Sequence, residues 1–309
     1  MIDFRYHLVS LISVFVALAV GIVLGAGPLQ NSLGNALHNQ VESLREDRNA
    51  THAQLETTSA ALNDRDAYIT AAAASYLPGT LSGRSVAIVA LPDAQDEDVE
   101  LVISQIAVAG GTTTGRVTLT SVWTDPSRES FRSAYSGQFA GNLDEAVSKD
   151  SSGILGEGLA KALTVDDSSA IALRDLLTAS DTPLMSVNSQ LTTKADAVVV
   201  VGPRSAQADA AGATPTPGAD ATGKAWAAAL TGVAAGAPAV IVGGADDERD
   251  IIAVMRENRA KATTIDSVGQ ASAAVSVPLA IAAVLGGAQG SYGFDDGAGT
   301  IMPPIPAKG

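Results

Sequence analysis

Two short stretches, Ser85-Val-Ala-Ile-Val-Ala-Leu91 and Ala197-Val-Val-Val-Val201, decide the fold class. Both are apolar at consecutive positions instead of alternate ones, so neither face of either strand is suited to water. A strand buried on both faces needs helices on both sides. Helical patterns do flank these runs, over 96–109, 127–139, 153–163, 168–179, 221–235, 247–258 and 271–285. Further strands are expected at Gly115-Arg-Val-Thr-Leu-Thr120, Ala239-Val-Ile-Val242 and Thr263-Thr-Ile265. The alternation predicts an α/β domain over 81–309, a Rossmann-like or flavodoxin-like parallel sheet covered by helices on both faces.

Within this domain, residues 205–223 are rich in Ala, Gly, Pro, Asp and Thr and read as a flexible insertion after a strand. The apolar run 275–285 is too short to cross a bilayer and contains Pro278, so it is expected to be a buried helix. Residues 298–309, with Met302-Pro-Pro-Ile-Pro306, form an extended tail.

Towards the amino terminus, Pro78-Gly79 closes a polar, helix-forming segment over 29–77. Val41, Leu44, Leu55, Leu62 and Ile69 fall on one seam in heptad phase, which predicts a coiled-coil stalk and a homodimer. Arg48 and Arg65 interrupt the seam, and an amphipathic helix packing on its own domain would carry a similar pattern. His38 and His52 lie two heptads apart, about 21 Å along the axis, too far to share a metal.

Before the stalk comes Leu8-Val-Ser-Leu-Ile-Ser-Val-Phe-Val-Ala-Leu-Ala-Val-Gly-Ile-Val-Leu24, with no formal charge between Arg5 and Glu42. About 19 residues at 1.5 Å each span roughly 28 Å, the thickness of the hydrocarbon layer. Residues 8–27 are therefore expected to form a transmembrane signal anchor, with Leu8, Ile12, Phe15, Leu18 and Ile22 facing lipid. A buried core helix fits less well, because the run is apolar all round. A cleavable signal peptide also fits less well, because the run is long and Pro28 follows its small residues. Arg5 favours a cytoplasmic segment 1–7 and an extracytoplasmic remainder in a single-pass protein of the inner (plasma) membrane. Arg5, Tyr6 and His7 are then candidates for contact with an inner partner.

Charge and inventory exclude several function classes. The formal charge is −14, which argues against nucleic acid as a partner. There is no Cys, and the three His are His7, His38 and His52, so the α/β segment has neither. A Ser-His-Asp triad, a Cys nucleophile or a His-ligated zinc within it is excluded. In such folds ligands bind where strands end. Here Leu91 is followed by Asp93, Asp96, Glu97, Asp98 and Glu100, and Val242 by Gly243, Gly244, Asp246, Asp247 and Glu248. Val201 is followed by Gly202-Pro203-Arg204. None matches a dinucleotide fingerprint or a P-loop. The acids read most simply as solvated helix caps, with a divalent cation as the open alternative. Met185, Met255 and Met302 are solitary, a poor ligand set for copper. The glycine-dense stretch 286–293 reads as a structural loop. No catalytic pair and no cofactor site stands out, so a non-enzymatic protein is expected.

The opening Met1-Ile-Asp-Phe-Arg-Tyr-His-Leu-Val-Ser-Leu-Ile-Ser-Val-Phe-Val-Ala-Leu-Ala-Val-Gly-Ile-Val-Leu-Gly-Ala-Gly-Pro-Leu29 resembles the start of the actinobacterial MctB-like proteins. That family is named for copper transport in the outer membrane and includes the corynebacterial envelope protein SteB. The order of anchor, helical segment, α/β domain and late glycine loop is similar along nearly the whole chain. The resemblance implies either copper transport or efflux, or a part in envelope assembly and cell separation beside a SteA-like protein partner. An outer-membrane barrel needs long strands of alternating polarity, whereas these are short and apolar throughout. The leading expectation is an anchored, stalk-dimerised envelope protein presenting its α/β domain to a partner, with copper transport as the alternative.

Overall fold

In the computed structural model, residues 4–26, 28–178, 182–189, 194–205 and 219–306 are described. The chain divides into two units, Met1–Asp64 and Arg65–Gly309. The first contains helix α1 (Phe4–Ala26) and the greater part of helix α2 (Pro28–Ala73). α1 carries no acid and only one Arg, and its hydrophobic residues are exposed on every side. Within it, Phe4–Val23 is 20 residues long and apolar enough to cross a membrane. Within this segment the Ser13 hydroxyl is satisfied locally, donating to the Val9 carbonyl at 2.8 Å.

α2 continues four residues short of the predicted segment end. After Ala73 the chain turns, burying Leu77, and Gly79 adopts φ +91°, a conformation that glycine reaches without penalty. Leu77 and Leu81 are part of the core of the second unit, whose sheet has seven strands among the described residues. They are β1 (Ser85–Ala90), β2 (Thr112–Leu119), β3 (Met185–Val187), β4 (Ala197–Val201), β5 (Ala239–Val242), β6 (Thr263–Ile265) and β7 (Ser291–Tyr292). Their spatial order is β3-β2-β1-β4-β5-β6-β7. Every neighbouring pair is parallel except β2 with β3, which is antiparallel.

The sheet is therefore mixed, which corrects the expectation of a wholly parallel one. β3 is a three-residue edge strand, and its Leu119↔Met185 pairing closes the sheet beside β2. β7 also lay unforeseen, inside the stretch read as a structural loop. β2 begins at Thr112, earlier than expected, because the Thr run pairs with Ser85 and Val86 despite its polarity.

The consecutive apolar residues of β1 and β4 divide between two cores, as a doubly covered sheet requires. Ala87, Val89, Val198 and Val200 face one core, and Val86, Ile88, Ala90, Val199 and Val201 face the other. The first core lies under α5 (Ser151–Thr164), α7 (Ala219–Gly236) and α8 (Ile251–Glu257), with α4 (Glu129–Ala140) and α6 (Ser168–Thr178) packed on α5. The second lies under α3 (Asp96–Val108) and α9 (Ala271–Leu285). α9 is the buried helix expected from its apolar run, Pro278 included.

α5 and α7 meet backbone to backbone. A Cβ on Gly156 would collide with the Ala229 carbonyl, and one on Gly232 with the Gly153 carbonyl. Of the expected flexible insertion, 206–218 lie outside the described residues. At its two ends, Ser205 is hydrogen-bonded and 219–223 form the start of α7. In the tail, Pro303 is buried while Ile301, Met302 and Ile305 are exposed.

Candidate functional site

Strand order reverses between β1 and β4, so the crevice where open α/β sheets bind ligands lies beyond their carboxyl ends. Here the chain fills that crevice with its own side chains. Asp98, in the first turn of α3, is only 3% exposed. Arg204, three residues past β4, meets it with two parallel bonds, Nε to Oδ2 at 2.8 Å and Nη2 to Oδ1 at 2.7 Å. This carboxylate contact holds the guanidinium above its ordinary pKa, against the opposing effect of burial. Gly269 (φ +91°) lies against the Arg204 guanidinium, where any side chain would collide with it.

Two more acids after β1 face an Arg from a neighbouring strand. Asp96 pairs with Arg116 of β2, and Glu100 approaches the same guanidinium at 3.6 Å. The N-cap of α3 is Gln95, which forms no side-chain cap. The reading of these acids as solvated caps is thus corrected for Asp98, which is buried, whereas Asp93, Asp96, Glu97 and Glu100 stay exposed to solvent. Asp96 and Asp98 serve as ion-pair partners, while their place in the first turn still complements the helix dipole.

A second cluster lies past β5, β6 and β7. Asp266, wholly buried after β6, accepts from Arg256 Nη1 at 2.8 Å, Ser267 Oγ at 2.9 Å and the Phe294 and Asp295 amides at 2.9 and 3.1 Å. Arg256 is itself almost buried and also donates through Nη2 to the Tyr292 carbonyl at 2.8 Å. Gly293, at φ +133°, passes so close that a Cβ would run into the Asp266 carboxylate. This network ties β6, β7 and α8 together. Nothing in the sequence reading pointed to it except the glycine density before Phe294.

Beside it, the Ser205 hydroxyl donates to Asp250, which also accepts from the Asp247 amide at 3.0 Å. Asp247 is held at a pKa of about 2, chiefly by the Arg249 side chain and then by its amide. Asp295 is shifted the other way. Burial raises it first, followed by Asp266 and Asp246, and its Oδ2 has no hydrogen-bond partner. Among the described residues no three of His, Asp or Glu converge as a metal-binding group. Chemically, the carboxyl edge of the sheet is a set of clasps between strand-end loops.

The residues singled out for the membrane and the stalk lie elsewhere. Leu8, Ile12, Phe15, Leu18 and Ile22 project from α1 and are all exposed, as are Arg5, Tyr6 and His7 in its first turns. Val41, Leu44, Leu55 and Leu62 are 43–62% exposed along α2. Ile69 differs, because it is half-buried against the core beneath α3 and α9. Met185 and Met255 are in the cores of the domain.

Comparison with known proteins bears on the chain as a whole. The family described as "Copper transport outer membrane protein, MctB" matches residues 1–303. Proteins named "Copper transporter MctB" from Mycobacterium tuberculosis and Mycobacterium bovis are 34% identical over 134 residues, covering 43% of this chain and 43% of theirs. The Mycobacterium leprae protein of the same name gives the same identity over 42% of its length. The matched region is less than half of each of these curated relatives.

Proposed function

We propose that this chain, which belongs to the MctB family, is a membrane-anchored, non-enzymatic protein of the cell envelope that dimerises through α2. In this reading it presents its α/β domain to a protein partner outside the membrane. The carrying observation is the exposed seam of Val41, Leu44, Leu55 and Leu62 on a helix that follows a membrane-length apolar segment. Apolar side chains at heptad spacing on a polar helix are stabilised by a second helix, as in a parallel coiled coil. The ring of Arg5, Tyr6 and His7 would then face an inner partner, and the anchor would join the two sides. The strand order supports a Rossmann-like ancestry for the domain, with β3 added in reverse at one edge. That the switch-point crevice is filled by Asp98 and Arg204 supports a scaffold over a catalyst.

A second reading, copper transport, is favoured by the family description and by the name of the mycobacterial relatives. Competitive Cu(I) titration of the full chain in detergent separates the two. The scaffold reading expects no stoichiometric copper uptake. Tight binding that is lost when His7, His38, His52 and Met302 are replaced would move the assignment to metal transport.

A further inference from the structure

Along the outer flank of α7, Lys224, Ala227, Ala228, Thr231, Ala234 and Ala235 fall at three- and four-residue spacing and line one open groove of 880 Å³. From Lys224 to Ala235 the stripe covers about 17 Å of helix, three turns. The groove continues past Ala234 and Ala235 into a second concavity of 350 Å³ bounded by Pro238 and Val284. Its other wall includes Val147, an apolar residue 71% exposed. Ala227 is buried at the floor of this stripe, Ala228, Thr231 and Ala234 are half-buried, and Lys224 and Ala235 are exposed, which leaves a flank of α7 against which another helix can pack. The small side chains permit a close approach.

The charges at this groove run against those of the protein. The chain carries 33 acids and 19 bases. Six described basic side chains form ion pairs: Arg116, Lys161, Arg174, Arg204, Arg249 and Arg256. Three that form no ion pair among the described residues, Lys224, Arg259 and Lys261, gather at the groove, although they come from two separate stretches of sequence. The acid at its edge, Asp150, is engaged in capping α5, its Oδ1 accepting from the Gly153 amide at 2.8 Å. Arg259 sits at φ +51°, in the turn after α8 that leads to β6, and projects its charge there from a backbone shape that favours glycine.

We infer that this groove is a docking site for an acidic amphipathic helix of a protein partner, with its apolar face on the α7 stripe and its carboxylates on Lys224, Arg259 and Lys261. The inference rests on the partner-presenting reading above and gives that partner a chemistry. Helix-in-groove recognition places anchors at i, i+3, i+4 and i+7, the spacing the α7 stripe itself displays. Three cations around the groove steer an acidic segment and select against a basic one. A small ligand would leave most of this length unfilled.

The test is fluorescence anisotropy of the full chain in detergent with a labelled helical Leu/Glu peptide. The comparison probes are a Leu/Lys peptide of the same pattern, inorganic phosphate and phosphatidylglycerol vesicles. The Leu/Glu peptide should bind and the Leu/Lys peptide should not. The variant Lys224→Ala/Arg259→Gly/Lys261→Ala should weaken binding about tenfold. Its fold is checked by circular dichroism, and Arg259→Gly relieves a left-handed backbone instead of straining it. Arg84→Ala, a change at a basic residue outside the groove, should leave binding unchanged. Equal binding by wild type and the triple variant, or no binding of the acidic peptide, overturns the inference. So does charge-dependent binding to vesicles alone, or loss of self-association in the triple variant, which would assign the groove to lipid or to a second copy. Failure of α2-dependent dimerisation alone would strike the stalk and leave the groove standing.

Discussion

Arg204 and Asp98 lie 106 residues apart in sequence and meet through two bonds of 2.7 and 2.8 Å at the point where the strand order reverses. The asymmetry of their exposure sets what each mutation does. The Arg204 side chain is half exposed, whereas Asp98 is nearly buried. Arg204→Ala leaves a buried carboxylate without its partner and should cost about 3 kcal/mol. Asp98→Asn leaves a guanidinium that can turn towards water and should cost about 1 kcal/mol. The double variant should cost less than the sum, as denaturant unfolding in a double-mutant cycle would record.

Gly293→Ala meets two obstacles together, a backbone at φ +133° and the Asp266 carboxylate where the methyl must go. The substitution should destabilise the protein by about 3 kcal/mol or more. It should also raise hydrogen exchange of the Phe294 and Asp295 amides, which donate to Asp266. An unchanged exchange rate at those two amides would contradict the clasp.

The contact between α5 and α7 makes a similar demand. Gly156→Ala and Gly232→Ala each insert a methyl where the facing helix places a carbonyl. Each should lower stability by about 1–3 kcal/mol, the usual cost of overpacking, and Gly137→Ala, with open space around it, should be tolerated. Thermal unfolding of the three variants side by side decides this.

Two aspartates should give opposite pH signatures. The folded pKa of Asp295 is raised, so the folded state holds its proton more tightly than the unfolded chain. Stability contributed by that proton is present at low pH and is lost as pH rises from the ordinary carboxylate range through the raised value. Asp295→Asn should therefore stabilise the protein at pH 7, and the gain should vanish in acid. Asp247, held at about 2 by Arg249, contributes stability above the ordinary value of 3.8 that is lost as pH falls towards 2. Asp247→Asn should remove that acid-side slope. Unfolding midpoints measured from pH 2 to 8 test both signs.

How much of this was legible in the sequence follows from what each element depends on. β4 and β5 stood out with their observed ends because unbroken Val and Ile runs have no better home than a doubly covered sheet, and β6 was placed by the β-branched Thr263-Thr-Ile265. α1 and α9 were legible from length and apolarity alone. β3 and β7, with three and two residues, carry too little pattern to be seen, and β3 supplies the antiparallel edge that made the sheet mixed. The acids after β1 were correctly placed at a helix start and mostly in solvent, but Asp98 is buried and Asp96 is ion-paired. Their partners come from elsewhere, Arg116 from β2 and Arg204 from the loop after β4, and such pairings exist only once the sheet is assembled. The α7 stripe was hidden for the same reason. Its Ala spacing was visible, but the approach of Arg259 and Lys261 depends on the order of β5, β6 and β7.

The proposal as a whole turns on whether α2 brings two chains together. Sedimentation equilibrium of the full protein in density-matched detergent, wild type against Leu55→Lys/Leu62→Lys, measures this most directly. The account predicts a dimer that becomes a monomer when the two exposed leucines are charged. A wild-type monomer, or a dimer indifferent to those substitutions, would contradict it.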